Sequence, residues 1–199
     1  MQGLANQVVF VDANVWFSRT LRDWIGMLYV TPDTAPFEVR WTEDVLAEVL
    51  YNLRRKHPDW DGSRITSIRD RIAGTFEVGR VDDFQVGDDY LGRDAFDAHV
   101  HAAAVACRAG ILLTANATDF AWGDNESQYE VLTPDEFLVL IDDSAPELVA
   151  EVTVRMCRYW LNRSTEADLP KKLKGAGCPN FAERIRSHLH VSADKLQTD

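Results

Sequence analysis

Four apolar β-forming residues stand in a row at Val8-Val9-Phe10-Val11, with no polar residue among them. Successive side chains of a strand point to opposite faces. Such a run therefore needs cover on both faces, as in the parallel sheet of an α/β protein. Ile111 to Thr114 reads as another buried strand, Tyr129 to Leu132 as a further one, and Phe37 to Trp41 as a short extended piece.

Helical periodicity fills the intervals. Trp16, Phe17, Leu21, Trp24, Ile25 and Leu28 predict one helix from about Asn14, stopped by Thr31-Pro32-Asp33. Thr42 predicts an N-cap, with Glu43 and Asp44 in the positive first turn and a stripe of Val45, Leu46, Val49, Leu50 and Leu53 behind them. At about 100° per residue, Glu48 borders that stripe. Lys56-His57-Pro58 ends the helix, and another is expected over 61–75. Phe76 to Val81 predicts a short strand, followed by a polar loop over 82–93. Asp94 predicts a capped helix to about Arg108, with Phe96, Val100, Ala103, Ala104 and Cys107 as its apolar stripe and Gly110 as its stop. Thr133-Pro134 opens one more helix.

This alternation predicts an α/β sandwich with a mostly parallel central sheet. From Ser144-Ala145-Pro146 onward the pattern is helical only, through Leu148, Val149, Val152, Met156 and Trp160, then Leu169, Leu173, Phe181, Ile185 and Leu189. The expected organisation is a domain over 1–143 and a small helical extension over 144–199 with a frayed tail.

Four acidic residues fall at the ends or edges of these elements: Asp12, Glu48, Asp97 and Asp119. In parallel sheets the ligand crevice lies at the carboxyl ends of the strands, where Asp12 follows one strand and Asn116 and Asp119 follow another. Two like charges about 4 Å apart repel by roughly 4 kcal/mol at an effective dielectric near 20. A chain that gathers four carboxylates is expected to bind Mg²⁺ or Mn²⁺, which prefer oxygen ligands.

The acidic balance bears on partners. The 199 residues carry a net charge of −11, which argues against non-specific nucleic-acid binding through basic surface. It leaves a nuclease open, because active-site carboxylates add to that charge and a metal offsets them. The basic residues concentrate in the first half, including Arg19, Arg22, Arg40, Arg54, Arg55, Lys56, Arg64, Arg69, Arg71 and Arg80; solvated helix faces are the plainer reading of each. Cys107, Cys157 and Cys178 are too scattered for a disulfide frame, and no apolar run approaches the ~20 residues of a membrane span. With no secretory signal visible, a reducing cytoplasm is the expected location.

The segments Val9-Phe10-Val11-Asp12-Ala13-Asn14-Val15, Glu48 in its helix, Asp97-Ala98-His99-Val100-His101-Ala102-Ala103-Ala104 and Leu113-Thr114-Ala115-Asn116-Ala117-Thr118-Asp119-Phe120 carry a resemblance. In order, spacing and context over about residues 6–141, the chain resembles the PIN-domain ribonucleases, most closely the VapC-like toxins of bacterial toxin–antitoxin pairs. The resemblance implies a PIN-like α/β/α sandwich in which Asp12, Glu48, Asp97 and Asp119 form the metal site, flanked by Asn14, Thr114 and Asn116. It implies Mg²⁺ or Mn²⁺, RNA cleavage, frequent homodimerisation and inhibition by a cognate antitoxin. The segment Leu173 to Ala182 is similar, less specifically, to a C-terminal helical region in some of these toxins.

Each residue also has an ordinary explanation. Asp12 can end a strand, Asp97 can belong to the cap begun by Asp94, Glu48 can be a surface helix residue, and Asp119 can cap a short helix. Asp94 is an auxiliary or rival carboxylate. His101 lies four residues after Asp97 and shares its helix face, yet His99 and His101 are more simply packed or surface residues. Asp88, Asp89 and Asp124 read as loop charges, and Trp24, Trp41, Trp122 and Trp160 as core. The expected function is a metal-dependent endoribonuclease. A non-catalytic PIN-like scaffold binding RNA or protein is the alternative. A phosphoaspartate domain around Asp12 is disfavoured because Asn14 stands where a second Asp is needed. The helix bearing Trp16, Phe17, Trp24 and Leu28 is a candidate dimer interface or plain core.

Overall fold

A computed structural model of the chain describes residues 7–87, 90–120, 128–161 and 168–197, with side chains up to 191. Asp88, Asp89, Trp122 and Asp124 lie outside the described residues. Strands β1 (Gln7–Val11), β2 (Phe37–Arg40), β3 (Ile111–Leu113) and β4 (Glu130–Leu132) form a wholly parallel sheet in the order β2-β1-β3-β4. Val9 pairs with Val39 on one side and Ile111 on the other, and Leu112 pairs with Val131. Val9, Phe10, Val11, Leu112 and Leu113 have no exposed surface, so both faces of the sheet centre are covered.

From β1 the chain goes to β2 on one side; after further helices it returns to β3 on the other. The strand order therefore reverses between β1 and β3, and the carboxyl ends of those two strands flank a crevice.

The predicted first helix is two helices, α1 (Ala13–Phe17) and α2 (Arg19–Val30). Ser18 is extended, and its hydroxyl accepts from the Leu21 N–H at 3.4 Å. A serine that caps the next helix competes with continuation of the first. Trp16, Trp24 and Leu28 have no exposed surface, so these side chains belong to the interior and not to a dimer interface.

Helix α3 (Glu43–Lys56) begins at Thr42, whose hydroxyl accepts from the Val45 N–H at 3.2 Å. Helix α4 (Gly62–Thr75) is capped in the same way by Asp61. The strand expected over Phe76 to Val81 is instead a 3₁₀ turn, Glu77–Gly79, with one lone bridge between Trp41 and Arg80. Phe76 and Gly79 are buried while Glu77 and Val78 are exposed, a spacing of three that belongs to a 3₁₀ turn and not to a strand. Gly79 lies so close to the Val39 carbonyl that an added Cβ would sit 2.0 Å from its oxygen.

Asp94 caps a 3₁₀ turn, Ala95–Asp97, ahead of α5 (Ala98–Ala106). Phe96, expected on the apolar stripe, is 87% exposed because it belongs to that turn. The helix ends at Ala106 with Cys107 as its cap, and Arg108 just beyond, not Gly110, takes the left-handed turn at a φ of 54°.

Helix α6 (Pro134–Ser144) opens with a capping box between Thr133 and Glu136. The remaining helices are α7 (Pro146–Leu161), α8 (Leu169–Gly175) and α9 (Pro179–Gln197), the last extending further than a frayed tail allows. Their apolar stripes join the core made by the sheet. Phe181 meets Trp24 edge-on at 5.0 Å, and Val149, Val152, Leu173 and Ile185 are buried. The buried Asp135 carboxylate accepts from the Phe181 N–H at 2.9 Å and the Asn180 side chain at 2.9 Å, so α6 caps the start of α9. Among the described residues no helix is long and apolar enough to cross a membrane.

Candidate metal centre

Asp12 follows the last residue of β1, and Thr114 follows the last residue of β3. The β1–β3 ladder continues between them, with the Asp12 N–H donating to the Leu113 carbonyl at 3.0 Å. Asp12 is 5% exposed. One carboxylate oxygen accepts from the Ala13 N–H at 2.5 Å. The other accepts from the Thr114 hydroxyl at 2.8 Å and the Asn14 amide at 2.7 Å. Burial pushes its pKa up, against the pull of these hydrogen bonds and of the nearby His99. The capping role is real, and it uses only one of the two oxygens.

Asn14 ties the two strand ends together. Its amide N–H groups reach Asp12 and, at 3.0 Å, the Thr114 hydroxyl; its carbonyl accepts from the Ala115 N–H at 2.9 Å. Asn116 enters through its backbone, donating to the Thr114 hydroxyl at 3.1 Å, and its exposed side chain makes no hydrogen bond among the described residues. The hydrogen-bonded pocket floor is therefore Asp12, Asn14 and Thr114.

The other acids surround this floor. Asp97 stands at the start of α5 without making a cap hydrogen bond; Asp94 takes that role by accepting from the Phe96 N–H at 2.9 Å. The Asp97 carboxyl is pushed up to about 6, by burial first and then by the charges of Asp12, Asp94, Asp119 and Glu48. Glu48, on the exposed side of α3, is also raised. Partial desolvation acts first, then the charge of Asp12, with His99 and a 3.5 Å hydrogen bond from Asn52 opposing. Asp119 lies inside a 3₁₀ turn, Ala117–Phe120; the residues of any helix that it could cap lie outside the described residues. The four acids found in sequence, with Asp94, thus share one electrostatic field at the β1–β3 switch point.

Among the described residues no three acidic, histidine or cysteine side chains are drawn together closely enough to enclose an ion. The donor set is nonetheless all oxygen, which suits a hard cation. Mg²⁺ keeps several waters, so carboxylates reach it partly through water. A loose acidic ring around one well-held carboxylate fits such an ion.

Two neighbours escaped sequence reasoning. Tyr90 donates its hydroxyl to the Asp119 carbonyl at 3.2 Å, and burial followed by the charges of Asp97, Asp119, Asp94 and Asp12 pushes its phenol up to about 12. Gly92 lies so close that an added Cβ would fall 2.1 Å from the Tyr90 hydroxyl and 2.4 Å from the Asp119 carbonyl oxygen. Nothing in a polar loop marks a tyrosine for this place. The two histidines, expected as packed or surface residues, are one of each. His99 lowers the pKa of both Asp12 and Glu48, whereas His101 is buried with Nδ1 2.9 Å from the Tyr129 hydroxyl. No family model matches the chain, and neither a curated protein nor a solved structure matches it.

Proposed function

We propose that this protein is a metal-dependent endoribonuclease with a PIN-like α/β/α sandwich, a VapC-like toxin that hydrolyses RNA phosphodiester bonds at the Asp12, Glu48, Asp97 and Asp119 site. The observation that carries the reading is buried Asp12 at the strand-end switch point, its carboxylate held by Thr114 and Asn14; the charges of Asp12, Asp94, Asp119 and Glu48, which all raise the proton affinity of Asp97, agree with it. Structural carboxylates are ordinarily answered by cations, as Asp142 is by Arg184 and His188. A convergent set of acids at a strand-end crevice is ordinarily a functional one.

Asp12 would hold Mg²⁺ or Mn²⁺ with Asp119 nearest to it, and Glu48 and Asp97 would complete the ring directly or through water. When bound, such an ion would supply positive charge against the developing charge on the phosphate and would make a nearby water more acidic. Thr114 and Asn14 fix one Asp12 oxygen and the Ala13 N–H the other, so little reorganisation is needed. Asp97, whose carboxylate accepts no hydrogen bond among the described residues, takes the proton of the attacking water. The water oxygen forms the new bond to phosphorus, the bridging P–O bond breaks, and the leaving oxygen takes a proton from solvent. The test is cleavage of single-stranded RNA with Mg²⁺ by the wild type and by Asp12→Asn; equal activity of the two refutes the site.

A cytoplasmic location, a homodimer and a basic antitoxin that enters the acidic crevice belong to the same reading. The second reading is a non-catalytic PIN-like scaffold, favoured by the absence of an ion-enclosing triplet among the described residues. RNA binding without cleavage under any divalent metal supports it.

A further inference from the structure

Beside the carboxylates lies a groove of about 1080 Å³ bounded by α2, α3, α4 and α7. A smaller cleft of about 460 Å³ shares Asn14, Phe17 and Lys56 with it and reaches Glu48. The two form one path that starts at the acidic centre.

The chain's cations are held in more than one way. Several pair with carboxylates: Arg40 binds Glu38 at 2.7 Å, Arg80 binds Asp82 at 2.7 Å, Arg184 binds Asp143 at 2.7 Å, and Arg186 binds Glu183; Lys172 instead lies over the Trp160 ring. Along the path, Arg55, Lys56, Arg64 and Arg71 form no ion pair among the described residues. Three of them rest on aromatic rings instead. Arg64 lies 3.7 Å from the Trp60 centroid, Lys56 4.9 Å from Phe17 and Arg55 5.6 Å from Tyr51. Such contacts orient a cation without neutralising it. Of the carboxylates nearby, Asp23 pairs directly with Arg19 and feels the charge of Arg71 at longer range, and Glu151 pairs with Arg155.

The placement is regular. Glu48, Asn52, Arg55 and Lys56 share one face of α3, and Arg64, Ser67 and Arg71 share one face of α4. From Glu48 to Arg55 the rise is about 10 Å, and from Arg64 to Arg71 about the same. A stripe of four cations outside direct ion pairs, three of them oriented by rings, thus leaves a candidate phosphodiester-cleaving centre in a protein of net charge −11.

We infer that this path is a track for the phosphate backbone of single-stranded RNA, with Arg55, Lys56, Arg64 and Arg71 neutralising phosphates that flank the bond to be cut. The track rests on the ribonuclease reading for its substrate, but it makes a separate claim about binding.

The experiment measures equilibrium binding of a fluorescein-labelled oligouridylate in EDTA, where cleavage is off, over a series of salt concentrations. Compared are the wild type, a variant with Arg55, Lys56, Arg64 and Arg71 each changed to Gln, and a control with Arg40, Arg80, Arg184 and Arg186 each changed to Gln. Circular dichroism confirms that each variant is folded. Single strands lose ~0.7 in the slope of log K against log salt per phosphate contact removed. The track variant should lose up to about 3 in slope and bind at least about tenfold more weakly, with the control near wild type. Equal slopes in wild type and track variant, or no wild-type binding at low salt, overturn the track. So does poly-L-glutamate displacing the RNA at equal charge concentration, which assigns the path to an acidic polypeptide. A track variant that binds poorly beside a wild type that never cleaves with Mg²⁺ keeps the track and removes the nuclease; unchanged binding beside metal-dependent cleavage does the reverse.

Discussion

The Thr114 hydroxyl donates to the Asp12 carboxylate at 2.8 Å, joining the carboxyl ends of β1 and β3 across the point where the strand order reverses. Both side chains are buried, Thr114 completely. Replacing Thr114 by Val keeps the shape and removes the donor. The buried oxygen then keeps only the Asn14 amide, and the change should destabilise the fold by about 1–3 kcal/mol at pH 7. Urea unfolding checks this. Because the lost bond favours the ionised form, the deficit should shrink as pH falls and Asp12 protonates.

The stability contributed by the acidic site should fall as pH rises through the acidic range. Asp97 moves from an ordinary 3.8 to about 6 on folding. Between these values the folded state holds more proton than the unfolded one, so the slope of unfolding free energy with pH is negative. The repulsion is fully present above pH 6 and is relieved as pH approaches 4; Asp12 and Glu48 shift in the same direction. In EDTA, the Tm contribution of this site should therefore be higher near pH 5 than at pH 7.5. Asp97→Asn should flatten that dependence and raise Tm at pH 7.5. A variant with the wild-type profile would remove Asp97 from the cluster.

Added Mg²⁺ should reverse the penalty. A ligand that binds only the folded state stabilises by ~2.7 kcal/mol at a hundred times its Kd. Differential scanning fluorimetry at pH 7.5 should show Tm rising with Mg²⁺ for the wild type and not for Asp12→Asn. The rise should weaken toward pH 5, where protons compete for the same oxygens.

The capping of α9 by Asp135 makes the C-terminal helices part of the core. Asp135→Ala leaves the Phe181 and Asn180 N–H groups without this acceptor and should destabilise by about 1–3 kcal/mol, measured by urea unfolding at pH 7. Removal of residues 146–199 uncovers the Trp24 face that Phe181 covers and should give a chain that aggregates or binds a hydrophobic dye.

What was legible in the sequence follows the periodic signals. Val8 to Val11 and Ile111 to Leu113 needed cover on both faces and have it. Thr42 and Thr133 cap the helices that follow them, because a hydroxyl just ahead of an apolar stripe has few other uses. Ser18 was missed because the apolar spacing of Trp16, Leu21 and Trp24 runs smoothly across it, and only the chain's extended backbone there reveals the break. Phe96 was misplaced by one turn, since a 3₁₀ start shifts the phase of the stripe. At the site, the acids were readable as strand and helix ends. Tyr90 and Gly92 were not, because their places depend on how a loop folds back over Asp119.

In the proposed reaction the acids around Asp12 hold a hard cation at which RNA is cut. Single-turnover cleavage of single-stranded RNA at pH 7.5 with Mg²⁺, followed for wild type and Asp12→Asn, tests it most directly. The account predicts metal-dependent cleavage that falls at least about a hundredfold in the variant, equivalent to ~2.7 kcal/mol of barrier. Cleavage that survives in Asp12→Asn, or a wild type inert with both Mg²⁺ and Mn²⁺, contradicts it.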